Sequence, residues 1–396
     1  MAQDHWLLPD GVEEILPEEA QQLELLRRRL LDLFDSWGYE LVIPPLIEFL
    51  ESLLIGTGQD IDLQTFKLTD QVSGRMMGVR ADMTPQVARI DAHNLKRDEP
   101  TRLCYLGIVL LTRGDHLEKS RSPMQIGAEL YGHSGIESDL EILSLMLEML
   151  GQAGLENVHV DIGHVGIFRG LAKQAMLTEE QEAELFDVLQ RKATSELAKL
   201  LSQYSLSDDL VEMLAVLPEL NGGSEVINIA RTKLMKADKS VMEALDELEQ
   251  MAEWIRLQMP ECPLNIDLAE LQGYHYHAGL VFAAFVPGYG REVARGGRYD
   301  NIGQEFGRSR AATGFSADLK TISRLAITEV AENSEKIFAP GFINDEQLES
   351  EIRKLRQQGR VVIRNLTGQE SDAAAMGCDS ALVKTGDDWL VVLVNK

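Results

Sequence analysis

The stretch Arg102–Gly132 reads RLCYLGIVLLTRGDHLEKSRSPMQIGAELYG, and its reading decides the fold. It divides into a strand over Leu103–Leu111, a charged loop over Thr112–Ser122 and a return strand over Met124–Tyr131. The first strand is almost wholly apolar, so both its faces are expected to be buried. The return strand carries two polar residues, Gln125 and Glu129, four positions apart. With a side-chain period of two, both point to the same face. Two polar groups on one face of a core strand must be hydrogen-bonded or they cost stability. The plain alternative is an ordinary hairpin with one face in water.

On the N-terminal side, Pro9-Asp10-Gly11 is a turn signal. Pro17 then starts a helix with Glu18 and Glu19 in its first turn, where carboxylates suit the helix dipole. Leu23, Leu26, Leu30, Leu31 and Phe34 recur at helical spacing, which predicts an amphipathic helix over Glu18–Trp37 that stops at Gly38. A strand over Tyr39–Ile43 runs into Pro44-Pro45. Phe66–Thr69 and Arg75–Arg80 form a hairpin around Ser73-Gly74. A helix over Pro85–Leu95 follows, which Thr84 is placed to cap.

On the C-terminal side, Ile136–Leu150 reads as a helix and Val158–Ile162 as a strand. From Val165 to about Gln258 the pattern is helical almost throughout, too long for a loop in a compact domain. It is read as a helical subdomain inserted into the core. Strands resume at Leu264–Leu268 and Ala278–Val286, on either side of Gln272-Gly-Tyr-His-Tyr-His277. His275 and His277 fall on one face of a strand, but no third ligand stands at a metal spacing. Arg295-Gly-Gly-Arg-Tyr-Asp300 and Ala311–Leu325 follow. The tail from Glu335 has strand, helix, strand, strand texture: Ile337–Phe338, Asp345–Gln358, Val361–Arg364, then Ala381–Lys384 and Trp389–Val394.

The pattern Gln125-x-Gly127-x-Glu129 resembles motif 2 of class II aminoacyl-tRNA synthetases, in its histidyl form. The helix, Gly38, strand and Pro44 order resembles motif 1, and Arg80-Ala-Asp-Met-Thr84 resembles the family's Arg-Pro-Glu-Gly-Thr. Gly296-Gly-Arg-Tyr-Asp300 is similar to a histidine-branch signature, and Gly314-Phe315 stands in the motif 3 position. The resemblance covers roughly Pro9–Ile327, interrupted by the helical block. It implies an α+β fold, an antiparallel sheet flanked by helices, with a helical insertion and a small C-terminal α/β unit. The expected divisions are 1–164 and 261–329 for the two parts of the core, 165–260 for the insertion and 330–396 for the tail. It also implies a histidine-like pocket of Asp82, Thr84, Arg113, Gln125, Glu129, Tyr274, Tyr276, His277 and Tyr299. Asp82 and Glu129 would meet the ligand's ammonium, and Tyr299 would close around its ring.

Three arginines that such enzymes use on ATP are replaced, at Leu111, Gln272 and Thr321. One donor of this kind is worth about 10²–10³ in rate, so adenylation is expected to be absent and no cofactor is expected. The totals agree with that direction. The 396 residues are 44% apolar and 26% charged, the balance of a soluble globular chain of two or three units. A net charge of −26 opposes tRNA, whose binding rests on Lys and Arg displacing phosphate counterions. No apolar run approaches membrane-spanning length, and the acidic N-terminus is not a secretory signal. Three scattered cysteines, Cys104, Cys262 and Cys378, suit a reducing cytoplasm.

A kept amino-acid pocket without ATP chemistry resembles the synthetase paralogues that serve as regulatory subunits of short-form ATP phosphoribosyltransferase, in histidine biosynthesis. That resemblance implies a non-catalytic subunit that activates the catalytic subunit and carries histidine feedback. It implies synthetase-like dimers within a hetero-octamer, histidine as an effector, and neither tRNA nor membrane as a partner. A working histidine–tRNA ligase and another histidine-binding synthetase paralogue stay open as alternatives.

Overall fold

The structure, a computed structural model, describes residues 7–55, 59–114, 120–269, 277–300, 306–326, 335–341, 344–366, 368 and 372–394. The chain divides into two units, Met1–Glu329 and Val330–Lys396. In chain order the strands of the first are β1 (Glu40–Leu41), β2 (Ile47–Phe49), β3 (Phe66–Thr69), β4 (Met76–Val79), β5 (Thr101–Ile108), β6 (Met124–Tyr131), β7 (His159–His164), β8 (Asn221–Gly222), β9 (Leu264–Asp267), β10 (Leu280–Phe285), β11 (Glu292–Arg298) and β12 (Ala312–Asp318). Nine of them make one sheet in the order β1-β5-β6-β12-β11-β10-β7-β9-β8. Its pairings are antiparallel except β1 with β5 and β7 with β9. The remaining three form a small sheet in the order β2-β4-β3.

One face of the large sheet is closed by the helices Pro17–Ser36 and Ile136–Gln152. Leu26, Leu30 and Phe34 from the first meet Ile126, Ala128 and Phe315 of the sheet and Ile142 and Met146 of the second in one cluster. Phe34 stands edge-on to Phe315 with ring centroids 6.1 Å apart. Leu30 is wholly buried, so Leu30→Ala would cost about 2–5 kcal/mol through lost transfer energy and a residual cavity. Helices between Val165 and Gln258 pack into the same cluster through residues such as Phe168, Leu245 and Ile255. The same block supplies β8 to the sheet edge.

The second unit is a four-stranded sheet, with strands β13 (Lys336–Ala339), β14 (Val361–Arg364), β15 (Ser380–Thr385) and β16 (Asp388–Leu393) in the order β14-β13-β15-β16. The helix Glu346–Gln357 covers one face with Leu348, Ile352 and Leu355 against Ile337 and Leu382. Asp345 caps it, accepting from Gln347 N at 3.0 Å and Leu348 N at 3.1 Å. Among the described residues no helix is long and apolar enough to cross a membrane.

The return strand has the predicted bounds, but three elements differ, each for a physical reason. The strand expected over Leu103–Leu111 ends at Ile108, because the backbone beyond it is claimed by other segments. Leu110 N donates to Arg80 O at 3.0 Å, Leu111 N to Arg121 O at 2.8 Å and Thr112 N to Gln64 O at 2.9 Å. The strand expected over Tyr39–Ile43 shortens to Glu40–Leu41, since Pro44 and Pro45 supply no ladder donor. The helix expected over Pro85–Leu95 is α-helical over Thr84–Arg89, then widens to a π-turn over Ile90–Leu95 that ends on left-handed Lys96. Thr84 does not cap it. Asp82 accepts from Thr84 N at 3.1 Å, and the Thr84 hydroxyl points elsewhere.

Candidate functional site

The face of the sheet opposite the two long helices carries the candidate site. Glu129 is cross-strand neighbour to Leu103 on β5 and Gly314 on β12. Two residues along, Gly127 lies between Tyr105 and Ser316, and two further, Gln125 lies between Gly107 and Asp318. Period two therefore puts Gln125, Gly127 and Glu129 in a column on one face. The segment around the Thr84–Arg89 helix covers the Glu129 end. Met83 and Val87 pack there with Leu103, Tyr105 and Tyr299.

The polar groups in this seam form a connected set. Asp82 Oδ1 accepts from Gln125 Nε2 at 2.7 Å, and Met83 N donates to Gln125 Oε1 at 2.8 Å. The Thr84 and Tyr105 hydroxyls are 3.1 Å apart. Tyr105 donates to Glu129 Oε1 at 2.9 Å and Tyr299 donates to Glu129 Oε2 at 2.5 Å. The Tyr131 hydroxyl lies 3.2 Å from that of Tyr299. Glu129 is only 1% exposed, and this burial pushes its carboxyl up to about 8. The two tyrosine hydrogen bonds oppose the rise, and the charge of Asp82 adds to it.

The glycines in the column are sterically required. A Cβ on Gly314 would land on the Glu129 carboxylate, and one on Gly127 would sit 2.5 Å from both Phe315 O and the Tyr105 hydroxyl. Real Cβ atoms do not approach that closely.

The structure thus brings Asp82, Thr84, Gln125, Glu129 and Tyr299 together. Tyr299 is 2% exposed and stands beneath the carboxylate, spending its hydroxyl on Glu129. His277 lies nearby, half-buried, with Nδ1 3.3 Å from Arg298 O and its own carbonyl accepting from Arg169 at 3.1 Å. Burial pushes the His277 ring down to about 4, with the charge of Arg295 acting in the same direction. Its imidazole is therefore neutral at pH 7. Arg113 is exposed, on the loop past β5. Tyr274 and Tyr276, with Gln272, fall outside the described residues.

Tyr105 and Tyr131 belong to the cluster, and the sequence reading passed over both. Tyr105 sits in the strand that is almost wholly apolar in sequence. The available signal was its register opposite Gly127, which leaves room for a ring to cross.

Around Thr321 and Leu111 the described side chains are committed to one another. Thr321 Oγ1 donates to Asp318 Oδ2 at 2.8 Å, and Asp318 Oδ1 accepts from Met124 N at 2.8 Å and Lys320 N at 3.2 Å. Arg121 donates to Leu111 O at 3.0 Å and Asp10 O at 3.2 Å. Arg298, of the Gly-Gly-Arg-Tyr-Asp run, is buried against Asp139 at 2.6 Å and also donates to Gly135 O at 3.0 Å. It ties β11 to the start of the Ile136–Gln152 helix and so sets the position of Tyr299. Asp82, ordered by amide groups, and Glu129, which becomes a carboxylate once its proton leaves, can together meet a cation such as an ammonium. Among the described residues no three His, Cys, Asp or Glu side chains gather as a metal set.

Comparison with known proteins follows the same division. A family model described as histidyl-tRNA synthetase matches residues 11–322, and one for the C-terminal domain of the ATP phosphoribosyltransferase subunit HisZ matches residues 334–392. A Bacillus halodurans structure titled ATP phosphoribosyltransferase regulatory subunit/histidyl-tRNA synthetase superposes with a TM-score of 0.82 at 26% identity, covering 94% of this chain and 96% of that one. A histidyl-tRNA synthetase from Nostoc shares the fold, with a TM-score of 0.76 at 18% identity over 96% of this chain and 91% of that one. The ATP phosphoribosyltransferase regulatory subunit of Methylococcus capsulatus is 59% identical, with 98% of this chain and 96% of the relative covered. That of Thioalkalivibrio sulfidiphilus is 56% identical, with 98% of each covered. With identity of that order along nearly the whole chain, this protein belongs to the family of ATP phosphoribosyltransferase regulatory subunits.

Proposed function

We propose that this chain binds a short-form ATP phosphoribosyltransferase catalytic subunit, activates it, and carries histidine feedback through its synthetase-like pocket. The single observation that carries the reading is an asymmetry. The carboxylate Glu129 is held between Tyr105 and Tyr299, while Thr321, at the position of a lost ATP arginine, is spent on Asp318. This asymmetry supports an amino-acid site kept beside a nucleotide region whose side chains are spent on one another. Asp82 and Glu129 hold the ligand's ammonium, and His277 stands beside the pocket as a neutral imidazole. The residues beyond the described segments, Tyr274 and Tyr276, are proposed to complete the pocket with Arg113 near its loop. The assembly is proposed as synthetase-like dimers in a hetero-octamer with the catalytic chain, without tRNA.

Feedback requires that histidine bind the active and inactive complexes unequally, since equal affinity shifts nothing. Mixing this chain with the short catalytic subunit should raise phosphoribosyl transfer to ATP. Histidine should inhibit the mixture about 5–150-fold more strongly than the catalytic subunit alone, the usual span of allosteric coupling. Glu129→Ala, by stranding a buried ammonium, should weaken histidine binding by about 2–5 kcal/mol and blunt that inhibition. An unchanged inhibition curve in the Glu129→Ala complex would remove the sensor role.

A further inference from the structure

One side chain of the helical block reaches the sheet beside the pocket. β7 runs directly into the helix Val165–Gln174, and His164 caps it, with Nδ1 accepting from Gly166 N at 3.0 Å. Val165 N donates to Gly279 O at 3.1 Å, so the helix starts against the chain that enters β10. About one turn on, Arg169 Nη2 donates to His277 O at 3.1 Å. The rest of this helix is bound into the block. Gln174 donates to Lys236 O at 3.0 Å and accepts from Asp238 N at 2.9 Å. A Cβ on Gly170 would sit 2.6 Å from the Val241 side chain, and His164 Nε2 lies 3.0 Å from Glu247 on the helix Lys239–Gln258.

The point that Arg169 holds lies on the face of Glu129. The His277 ring covers Gly297, where a Cβ would stand 3.0 Å from Nδ1 and 3.1 Å from Cε1. Gly297 pairs with Gly314, the position covered by the Glu129 carboxyl. Directly opposed positions stand about 4.5–5.5 Å apart at Cβ, so the imidazole and the carboxyl lie over adjoining strands. Two more contacts run from this corner to β11. His277 Nδ1 lies 3.3 Å from Arg298 O, and Ala278 N donates to the same oxygen at 2.6 Å. Arg298 precedes Tyr299, whose hydroxyl bonds Glu129. A guanidinium on the helical block is therefore tied to the backbone of one pocket residue, one step from the strand that delivers another.

We propose that Arg169 is a positioning residue for the pocket: it holds the His277 main chain so that the ring stays over Gly297 beside Glu129, and it makes the placement of the helical block felt in ligand affinity. This assignment rests on the histidine-binding reading above. The competing account is a tie that only steadies the fold, whose loss would act the same with or without the His277 ring.

Calorimetry with L-histidine on the full chain separates the two accounts. R169A should bind histidine about 10–100-fold more weakly than wild type, the range of a hydrogen bond from a charged group. R169K should recover part of that loss. In an H277A background R169A should change affinity less than about twofold, because the ring it places is gone. Amide exchange supplies a reading that needs no variant. Coupling is reciprocal, so saturating histidine should slow exchange within Val165–Gln174 of the wild-type chain. Wild-type affinity in R169A, an equal loss in both backgrounds, or exchange in that helix unmoved by bound histidine would overturn the Arg169 assignment and leave the pocket standing. If wild type binds no histidine, the pocket reading falls and takes this assignment with it.

Discussion

At the scale of single residues, Glu129 dominates what the site does with pH. Burial pushes its carboxyl up to about 8, so Glu129 holds a proton at pH 7. On the proposed reading, a ligand ammonium seated against Glu129 and Asp82 favours the ionised form, so binding should release that proton. Between pH 7 and 8 histidine affinity should rise, by up to about tenfold per unit. Titration calorimetry in buffers of different ionisation enthalpy should count close to one proton released; a flat profile with none would exclude Glu129 as the ammonium partner. The stability effect follows the same sign. A carboxyl that is raised on folding binds more protons in the folded state between pH 4.5 and about 8, so stability falls as pH rises through that window. Glu129→Gln should flatten this part of the melting profile.

Among the elements, the buried Arg298–Asp139 pair is the joint that matters. It fastens β11, which carries Gly297 and leads into Tyr299, to the helix Ile136–Gln152 on the other side of the sheet. Arg298→Ala would leave Asp139 buried and unpaired, and denaturant unfolding should report a loss of about 3–5 kcal/mol. A loss under about 1 kcal/mol would mean that water replaces the guanidinium. The same elements show what sequence could reveal. Met124–Tyr131 was legible to the residue because Gln125, Gly127 and Glu129 alternate with Ile126, Ala128 and Leu130. The helix Pro17–Ser36 was legible from its leucine spacing and from Gly38 at its end, which sits at φ +80°. Asp82, Thr84, Gln125, Glu129 and Tyr299, picked out by motif, lie together in one hydrogen-bonded set. What stayed hidden depends on distant partners. Ile108 ends its strand because Arg80 and Arg121 carbonyls take the next donors, and neither is near in sequence. Tyr105 gains its place only from cross-strand register, which no single strand encodes.

Across the whole molecule, a net charge of −26 sets what the surface tolerates. Polyanions lose the counterion release that would drive their binding. Filter binding at about 0.15 M salt should therefore find no micromolar tRNA complex. Pyrophosphate exchange with histidine and ATP should likewise fall far below ordinary enzyme turnover of about 1–10³ s⁻¹. Exchange at such rates would show that the contacts made by Thr321 and Leu111 do not silence the nucleotide region.

The close approach of Gly314 to Glu129 bears on how such a chain can diverge. A side chain at Gly314 would evict the carboxylate, and a side chain at Gly127 would evict the Tyr105 ring. Neither position accepts a side chain unless the partner group first moves. Thr321, by contrast, is accommodated by a hydrogen bond to Asp318. The steric lock therefore falls on the glycines beside Glu129 and Tyr105, not on Thr321.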